Sequence, residues 1–279
     1  MELAGRTVIL TGASGGIGQP LCAAVVAAGA RVLAVGRDEA KLRRVARDMP
    51  VGSTSWVVAD VATEEGRAHL LRAAHAASPL PSVLVLAHAQ AAFGLFEEQD
   101  PVDMDRLVQT NLVAPMLLAH ALLPLLRTHA SATVVVVGST FGSLAFPGFA
   151  AYSASKFGLR GLTEALAREY ADTGLRFQYL SPRATRTPFN TPAVDALNAE
   201  LKVSSDVPAE VARQLVAAIV QGRSRMQIGW PEKFFARING LVPGLVDRNL
   251  RDSLPIVRRH ARRPRSSTEE NIHHEPRLR

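Results

Sequence analysis

The stretch that most constrains this chain is Thr11-Gly12-Ala13-Ser14-Gly15-Gly16-Ile17-Gly18. It stands between the apolar run Val8-Ile9-Leu10 and an apolar stretch from Leu21 to Ala28. A short buried run, a cluster of glycines and a segment of helical period read as strand, tight turn and helix. Glycine at 12, 16 and 18 lets the backbone turn sharply and approach a bulky anion. The helix that follows offers its unpaired N-terminal amides to the same anion. The opening of the chain therefore reads as a phosphate cradle between β and α elements, with a plain glycine-rich turn as the bland alternative.

The rest of the chain repeats the alternation. Val8–Leu10, Arg31–Val35, Trp56–Ala59, Val83–Leu86, Val134–Val137, Arg176–Leu180 and Met226–Ile228 read as strands. Between them lie a long helix over Asp103–Arg127, bent near its end by Pro124, and helices over Tyr152–Tyr170 and Pro208–Gln221. Asp206 precedes the last of these, where a negative charge suits the helix N-terminus. This order predicts a Rossmann-like α/β fold: one doubly wound parallel sheet with helices on both faces. Residues 185–205, rich in Thr, Pro, Asn and Ala, read as a mobile loop over the ligand crevice. The organisation expected is a nucleotide-binding and catalytic unit over 1–230, an apolar and basic helical extension over 231–263, and a disordered basic tail over 264–279.

Composition removes several classes. The net charge of +7 is concentrated at the end, where residues 258–279 hold seven arginines against three glutamates, so no nucleic-acid partner is expected. Cys22 is the single cysteine, which forbids an intrachain disulfide and suits a reducing, cytoplasmic setting. The first strand begins almost at once, with no room before it for a signal peptide. Leu112–Leu126 is the greasiest stretch and falls short of a membrane span, so a buried helix is expected. Ser139 lacks the flanking glycines of a hydrolase elbow. Gly18 is followed by Gln19 rather than the lysine of a P-loop. No His, Cys and carboxylate set has metal-ligand spacing, and His273-His274 lies in the tail.

Tyr152 and Lys156 stand four apart on a predicted helix and share one face. An ammonium beside a phenol favours the phenolate, so the lysine is expected to lower the tyrosine pKa and make a tuned acid and base. Ser139 follows the Val134–Val137 strand, at the end where open α/β sheets hold their ligands. Gly12, Gly16 and Gly18 with Thr11, then Asn111, Ser139, Tyr152 and Lys156, occur in the order and spacing of the short-chain dehydrogenase/reductase family. The chain resembles that family over roughly residues 3–230.

The resemblance implies a nicotinamide-dependent oxidoreductase of C=O and CH–OH groups, with a catalytic set of Asn111, Ser139, Tyr152 and Lys156. It implies that Tyr152 exchanges a proton with the substrate oxygen, that Ser139 orients that oxygen, and that Lys156 also holds the nicotinamide ribose. Asn111 is implied to adjust its helix so that a backbone carbonyl holds a relay water. The cofactor would lie on Gly12, Ser14, Gly16, Ile17, Gly18, Arg37, Asp60, Val61, Ala87, Tyr152, Lys156, Thr185 and Thr187. Arg37, after Gly36, suits a 2′-phosphate, so NADP(H) is expected in preference to NAD(H). Asp38 is a rival that would approach a free ribose, and Asp60 is open to a second reading as a strand-end helix cap.

Two departures stand out. Where the family carries Asn-Asn-Ala-Gly after its fourth strand, this chain has Leu86-Ala87-His88-Ala89. A strand brace is lost, and His88 reads as a structural histidine or a ligand contact. Where the family has Pro-Gly after the sixth strand, this chain has Pro182-Arg183, and Arg183 either meets an acidic ligand group or points to solvent. Phe93, Leu95, Phe96, Phe141, Leu144, Phe146 and Phe149 suggest an apolar pocket and a small lipophilic ketone or alcohol as substrate. A dinucleotide-binding regulator without turnover is the alternative from another class. The apolar helices at 103–127 and 152–172 suggest a homodimer or homotetramer. In the extension, Phe234, Ile238, Leu241 and Leu245 recur at helical steps among arginines, with Pro243-Gly244 dividing two short helices. That face either packs over the pocket or a neighbour, or meets a membrane surface.

Overall fold

A computed structural model describes residues 1–262. The tail expected over 264–279 lies outside the described residues. Seven parallel strands form one sheet: β1 (Thr7–Thr11), β2 (Arg31–Gly36), β3 (Thr54–Val58), β4 (Pro81–Leu86), β5 (Ala132–Val137), β6 (Leu175–Ser181) and β7 (Arg225–Gln227). Their order is β3-β2-β1-β4-β5-β6-β7, so the direction of winding reverses between β1 and β4. That reversal opens a crevice at the C-terminal ends of the strands.

Both sheet faces are buried, which is why the strands are nearly all apolar. Successive side chains alternate sides. Val8, Leu10, Val85 and Val135 join Leu21 and Val25 of α1 (Gly18–Ala27) and Leu215 and Ile219 of α8 (Pro208–Val220) on one face. Ile9, Leu84, Leu86, Val134 and Val136 join Leu118, Leu122 and Leu126 of α5 (Ala114–Leu126) on the other. Each fully buried side chain of this size contributes about 1.5–3 kcal/mol. Cys22 is a buried member of the first layer, as its place on the helix suggested.

Several boundaries differ from the sequence reading. Strand three starts at Thr54 and ends at Val58, although the Ala59 amide still donates to the Gly36 carbonyl (2.8 Å). The long helix is α4 (Pro101–Val108), a π turn over Gln109–Val113, and α5, which runs through Pro124 to Leu126. Together, Pro101–Leu126 is long and apolar enough to cross a membrane (mean hydropathy 1.4), but Leu107, Leu118, Leu122, Leu125 and Leu126 are buried in the fold. The stretch over 185–205 is not a plain loop. Thr191 accepts from the Val194 amide, Pro192 takes the first helical position, and α7 (Pro192–Glu200) buries Val194 and Leu197.

The apolar run of the extension forms two helices divided at Pro243, as expected, α9 (Glu232–Leu241) and α10 (Pro243–Arg251), and a further helix, α11 (Leu254–Ala261), follows. A third apolar cluster joins Val257 of α11 and Val194 and Leu197 of α7 to Phe149 and Tyr152. Arg259 and His260 pair with Glu200, which fastens α11 to α7.

Candidate active site

The glycine turn is packed too tightly for side chains. A Cβ on Gly12, where φ is +67°, would lie 2.8 Å from the His88 Cα. One on Gly18 would lie 1.9 Å from the Gly12 carbonyl oxygen. Helix α1 starts at this turn with no side-chain cap; the Gln19 amide donates to the Gly15 carbonyl (3.0 Å) and Pro20 has none, which leaves the Gly18 amide open to an anion. Thr187 lies against the same turn, 2.4 Å from where a Gly16 Cβ would stand. These are the features of a cradle for a dinucleotide pyrophosphate, and the residues fit it.

Beyond β2, Asp38 caps α2 (Glu39–Arg47), accepting from the Lys41 amide (3.0 Å) and pairing with the Lys41 ammonium (3.5 Å). Arg37 is 70% exposed and its guanidinium is 4.0 Å from Asp60. Asp60 accepts from the Ala62 amide (3.0 Å) in the turn after β3 and lines the cleft, but the next helix, α3 (Glu64–Ala76), is capped by Thr63, so the reading of Asp60 as a helix cap is corrected. Val61 is buried beside it.

The altered strand-four sequence keeps a brace by other means. The Thr11 hydroxyl accepts from the Ala87 amide (3.1 Å) and stands 2.7 Å from His88 Nδ1. His88 thus ties β1 to the end of β4, in the place where an asparagine brace is missing. Its buried Nε2 is turned toward the Thr110 backbone but has no hydrogen-bond partner of normal geometry. Burial first, and then the nearby Lys156 charge, push His88 down to about 4. A neutral imidazole therefore forms part of the cleft wall.

Ser139 follows β5 and accepts from the Phe141 amide (3.1 Å), which fixes its hydroxyl above the sheet edge. Helix α6 (Ala150–Glu169) carries Tyr152 and Lys156, both buried. The Tyr152 hydroxyl faces Ser139 closely enough for the serine to favour its ionised form, without a hydrogen bond of normal geometry between them. Lys156 Nζ donates to the Val137 carbonyl (3.3 Å) and stands 5.7 Å from the centroid of the Tyr152 ring.

The expectation that the lysine lowers the tyrosine pKa is corrected here. Desolvation raises Tyr152 to about 12 against the opposing influence of Ser139, and burial lowers Lys156 to about 8. At neutral pH the phenol holds its proton.

Asn111 lies at the middle of the π turn and is fully buried. Its Oδ1 accepts from the Gln90 amide (2.7 Å), and its Nδ2 donates to the Gln90 carbonyl (2.9 Å) and toward Ser155 Oγ (3.3 Å). Ser155 in turn donates to the Tyr152 carbonyl (2.7 Å). The side chain thus joins the strand-four loop to α6 from behind the cleft wall. A π turn gives this position a local geometry that a regular helix lacks.

Two residues have roles the sequence did not disclose. Tyr179 of β6 donates to the Lys156 carbonyl (3.0 Å) and fixes α6 from below. Arg183 neither points to solvent nor waits for an acidic ligand. It donates to both Asp206 oxygens (2.7 and 3.0 Å), to the Trp230 carbonyl (2.6 Å) and to Glu232 (3.4 Å). The loop after β6, the entry to α8 and the start of α9 are tied at this one guanidinium. Asp206 is therefore an ion-pair partner, while α8 begins at Pro208 without a side-chain cap.

One cleft of about 740 Å³ holds every cofactor-site residue expected from the sequence, from Gly12 to Thr187, together with Ser139, Tyr152 and Lys156. Thr185 borders it and donates to the Arg183 carbonyl (2.9 Å). Asn111 does not line it. The wall beyond Tyr152 carries Phe141, Phe146, Phe189, Leu197 and Leu250, with Asn190, Asn198 and Asn249 among them.

The pattern of the family described as short chain dehydrogenase matches residues 6–198. The chain belongs to the short-chain dehydrogenase/reductase family. It is 27% identical to a 3-ketodihydrosphingosine reductase of Mus musculus over 82% of this chain and 73% of that one. It also resembles a metagenomic short-chain oxidoreductase solved with NADP (27% identity, TM-score 0.69, 82% and 98% covered). A 3-ketoacyl-(acyl-carrier-protein) reductase of Brucella melitensis solved with NADH is similar again (25% identity, TM-score 0.74, 82% and 99% covered). As a short-chain dehydrogenase/reductase the chain is an oxidoreductase of alcohol and carbonyl groups that uses a nicotinamide dinucleotide. That cofactor supplies hydride chemistry at the carbonyl carbon.

Proposed function

We propose that this enzyme uses NADP(H) to interconvert a small lipophilic ketone and its alcohol. The observation that carries the reading is the placement of the buried Tyr152 beside Ser139 in a cleft whose further wall is largely apolar. The Tyr152 phenol is protonated at neutral pH and gives its proton to a carbonyl oxygen held by the Ser139 hydroxyl. In the opposite direction the phenolate form of the same oxygen takes the proton of the alcohol hydroxyl. Lys156 is placed beside the phenol to hold the cofactor ribose, and Asn111 positions the surrounding backbone through Gln90 and Ser155.

Gly12, Ser14, Gly16, Ile17 and Gly18 would hold the pyrophosphate. Asp60, Val61 and Ala87 would hold the adenosine end, and Thr185 and Thr187 the nicotinamide end. The preference for a 2′-phosphate rests on Asp38 and Arg37. Asp38 has its carboxylate engaged as a helix cap, whereas Arg37 is exposed at the mouth with Lys41 close by. The Mus musculus relative is named as a 3-ketodihydrosphingosine reductase, which supports a ketone substrate, and phenylalanine and leucine line the wall here.

The test is turnover of a graded panel of ketones with NADPH, by wild type and by Tyr152→Phe. The variant should bind NADPH as wild type does and lose at least about a thousandfold in kcat. A kcat unchanged on a verified substrate would refute the role given to Tyr152.

A further inference from the structure

Helices α9 and α10 present two faces, and Phe234, Leu241 and Leu245 of the stripe predicted over Phe234, Ile238, Leu241 and Leu245 fall on the outer one. Phe235, Val246 and Leu250 turn inward and line the cleft. Phe234, Leu241 and Leu245 turn outward. Trp230 is 65% exposed, Leu241 82%, Val242 56% and Leu245 59%, in adjoining segments. A patch of this kind on a folded surface marks an interaction site.

The outward and inward faces are continuous. Trp230 stacks on Phe234 (6.1 Å between centroids), and Phe234 meets Phe235 edge to face (6.1 Å). The line of rings runs from the exposed surface to the cleft wall.

Charge identifies the occupant. Arg237 lies three residues after Phe234 and four before Leu241, and Arg248 lies three after Leu245, so each guanidinium flanks an exposed apolar side chain. Lys233 and Arg251 extend the basic border. Of the carboxylates on these helices, Glu232 is taken up by Arg183, and Asp247 and Asp252 are outnumbered. Two copies meeting here about a two-fold axis would bring like charges together. The exposed apolar residues of α4, α5 and α6 (Val102, Met116, Leu117 and Phe157) offer a separate face for a second copy.

We propose that the α9–α10 surface docks on an anionic lipid surface. Trp230, Phe234, Leu241 and Leu245 enter the headgroup region, and the arginines meet lipid phosphates. The docked cleft would then open toward the bilayer.

The experiment is co-sedimentation of the full-length protein with vesicles of phosphatidylcholine alone or mixed with phosphatidylglycerol, at low and at high salt. Wild type should pellet with the anionic vesicles at low salt and be released at high salt. Arg237→Gln with Arg248→Gln should weaken partitioning about thirtyfold, from about 1 kcal/mol per basic residue. Leu241→Ser with Leu245→Ser should weaken it by more than about tenfold. Circular dichroism checks that both pairs remain folded, and light scattering reads their oligomeric state.

Absence of wild type from every pellet, or equal pelleting of wild type and both variants, overturns the proposal. So does a loss of oligomer in the leucine variant, which gives the face to a second copy. Binding is read without turnover, so failure here leaves the proposed reaction untouched.

Discussion

His88 gives the fold an acid limit that can be calculated. An unfolded histidine titrates near 6.5, and in the fold burial, assisted by Lys156 and Arg37 and opposed by Asp60 and the Thr110 backbone, moves His88 down to about 4. A base whose folded value lies below its unfolded value binds its proton more weakly in the native state. The stability linked to it is whole above pH 6.5 and is lost as pH falls from 6.5 toward 4. At pH 4 the unfolded imidazole is almost fully charged and the folded one half charged, a difference of about 3 kcal/mol.

His88→Asn keeps an acceptor near Thr11 and removes the titration. Urea unfolding of the ligand-free enzyme at pH 7 and pH 4 should show wild type losing about 3 kcal/mol more than the variant between the two. If the variant folds poorly, the His88 ring proton resonances of wild type serve instead and should stay in the neutral position down to about pH 5. Equal losses in both proteins, or a His88 resonance that titrates near 6.5, would refute the reasoning.

Arg37→Ala should raise KM for NADPH about tenfold or more and leave KM for NADH within twofold or so, since only the 2′-phosphate differs. Steady-state kinetics with both cofactors check this. Arg183→Leu leaves Asp206 and Glu232 without their cation in a partly buried site and should cost about 2 kcal/mol, lowering Tm by roughly 5 °C in calorimetry. Light scattering should find a homodimer or homotetramer for wild type, and Leu117→Glu, on the exposed part of α5, should shift it toward monomer.

Much of this architecture was legible because its signals are local. Val134–Val137 could only be a strand buried on both faces, and the glycines at 12, 16 and 18 could only serve a tight turn ahead of a helix. Other features arise from residues distant in sequence. Arg183 meets partners 23 and 49 residues away, so nothing adjacent to Pro182-Arg183 distinguishes an internal tie from a ligand contact. His88 finds Thr11 across 77 residues. Tyr152 and Lys156 could be paired from their spacing, but the sign of the tyrosine shift depends on desolvation, which belongs to the assembled pocket. Helix α7 was hidden because Thr191-Pro192 reads equally as loop chemistry and as a helix start.

The π turn carries a consequence for chain length. It holds one residue more than an α-helix of the same course would, absorbed as a local bulge so that α4 and α5 keep their phase. Deleting one residue between 109 and 113 would let α4 and α5 join as a regular helix of the same course. Leu107 would keep its cluster with Phe149 and Val194, but Asn111 would lose the local geometry that brings it to the Gln90 backbone. Inserting a residue elsewhere in the helix, with no bulge to absorb it, would instead rotate one part against the other by about 100°. Related chains can therefore lose this turn and keep the fold, at the expense of the Asn111 tie.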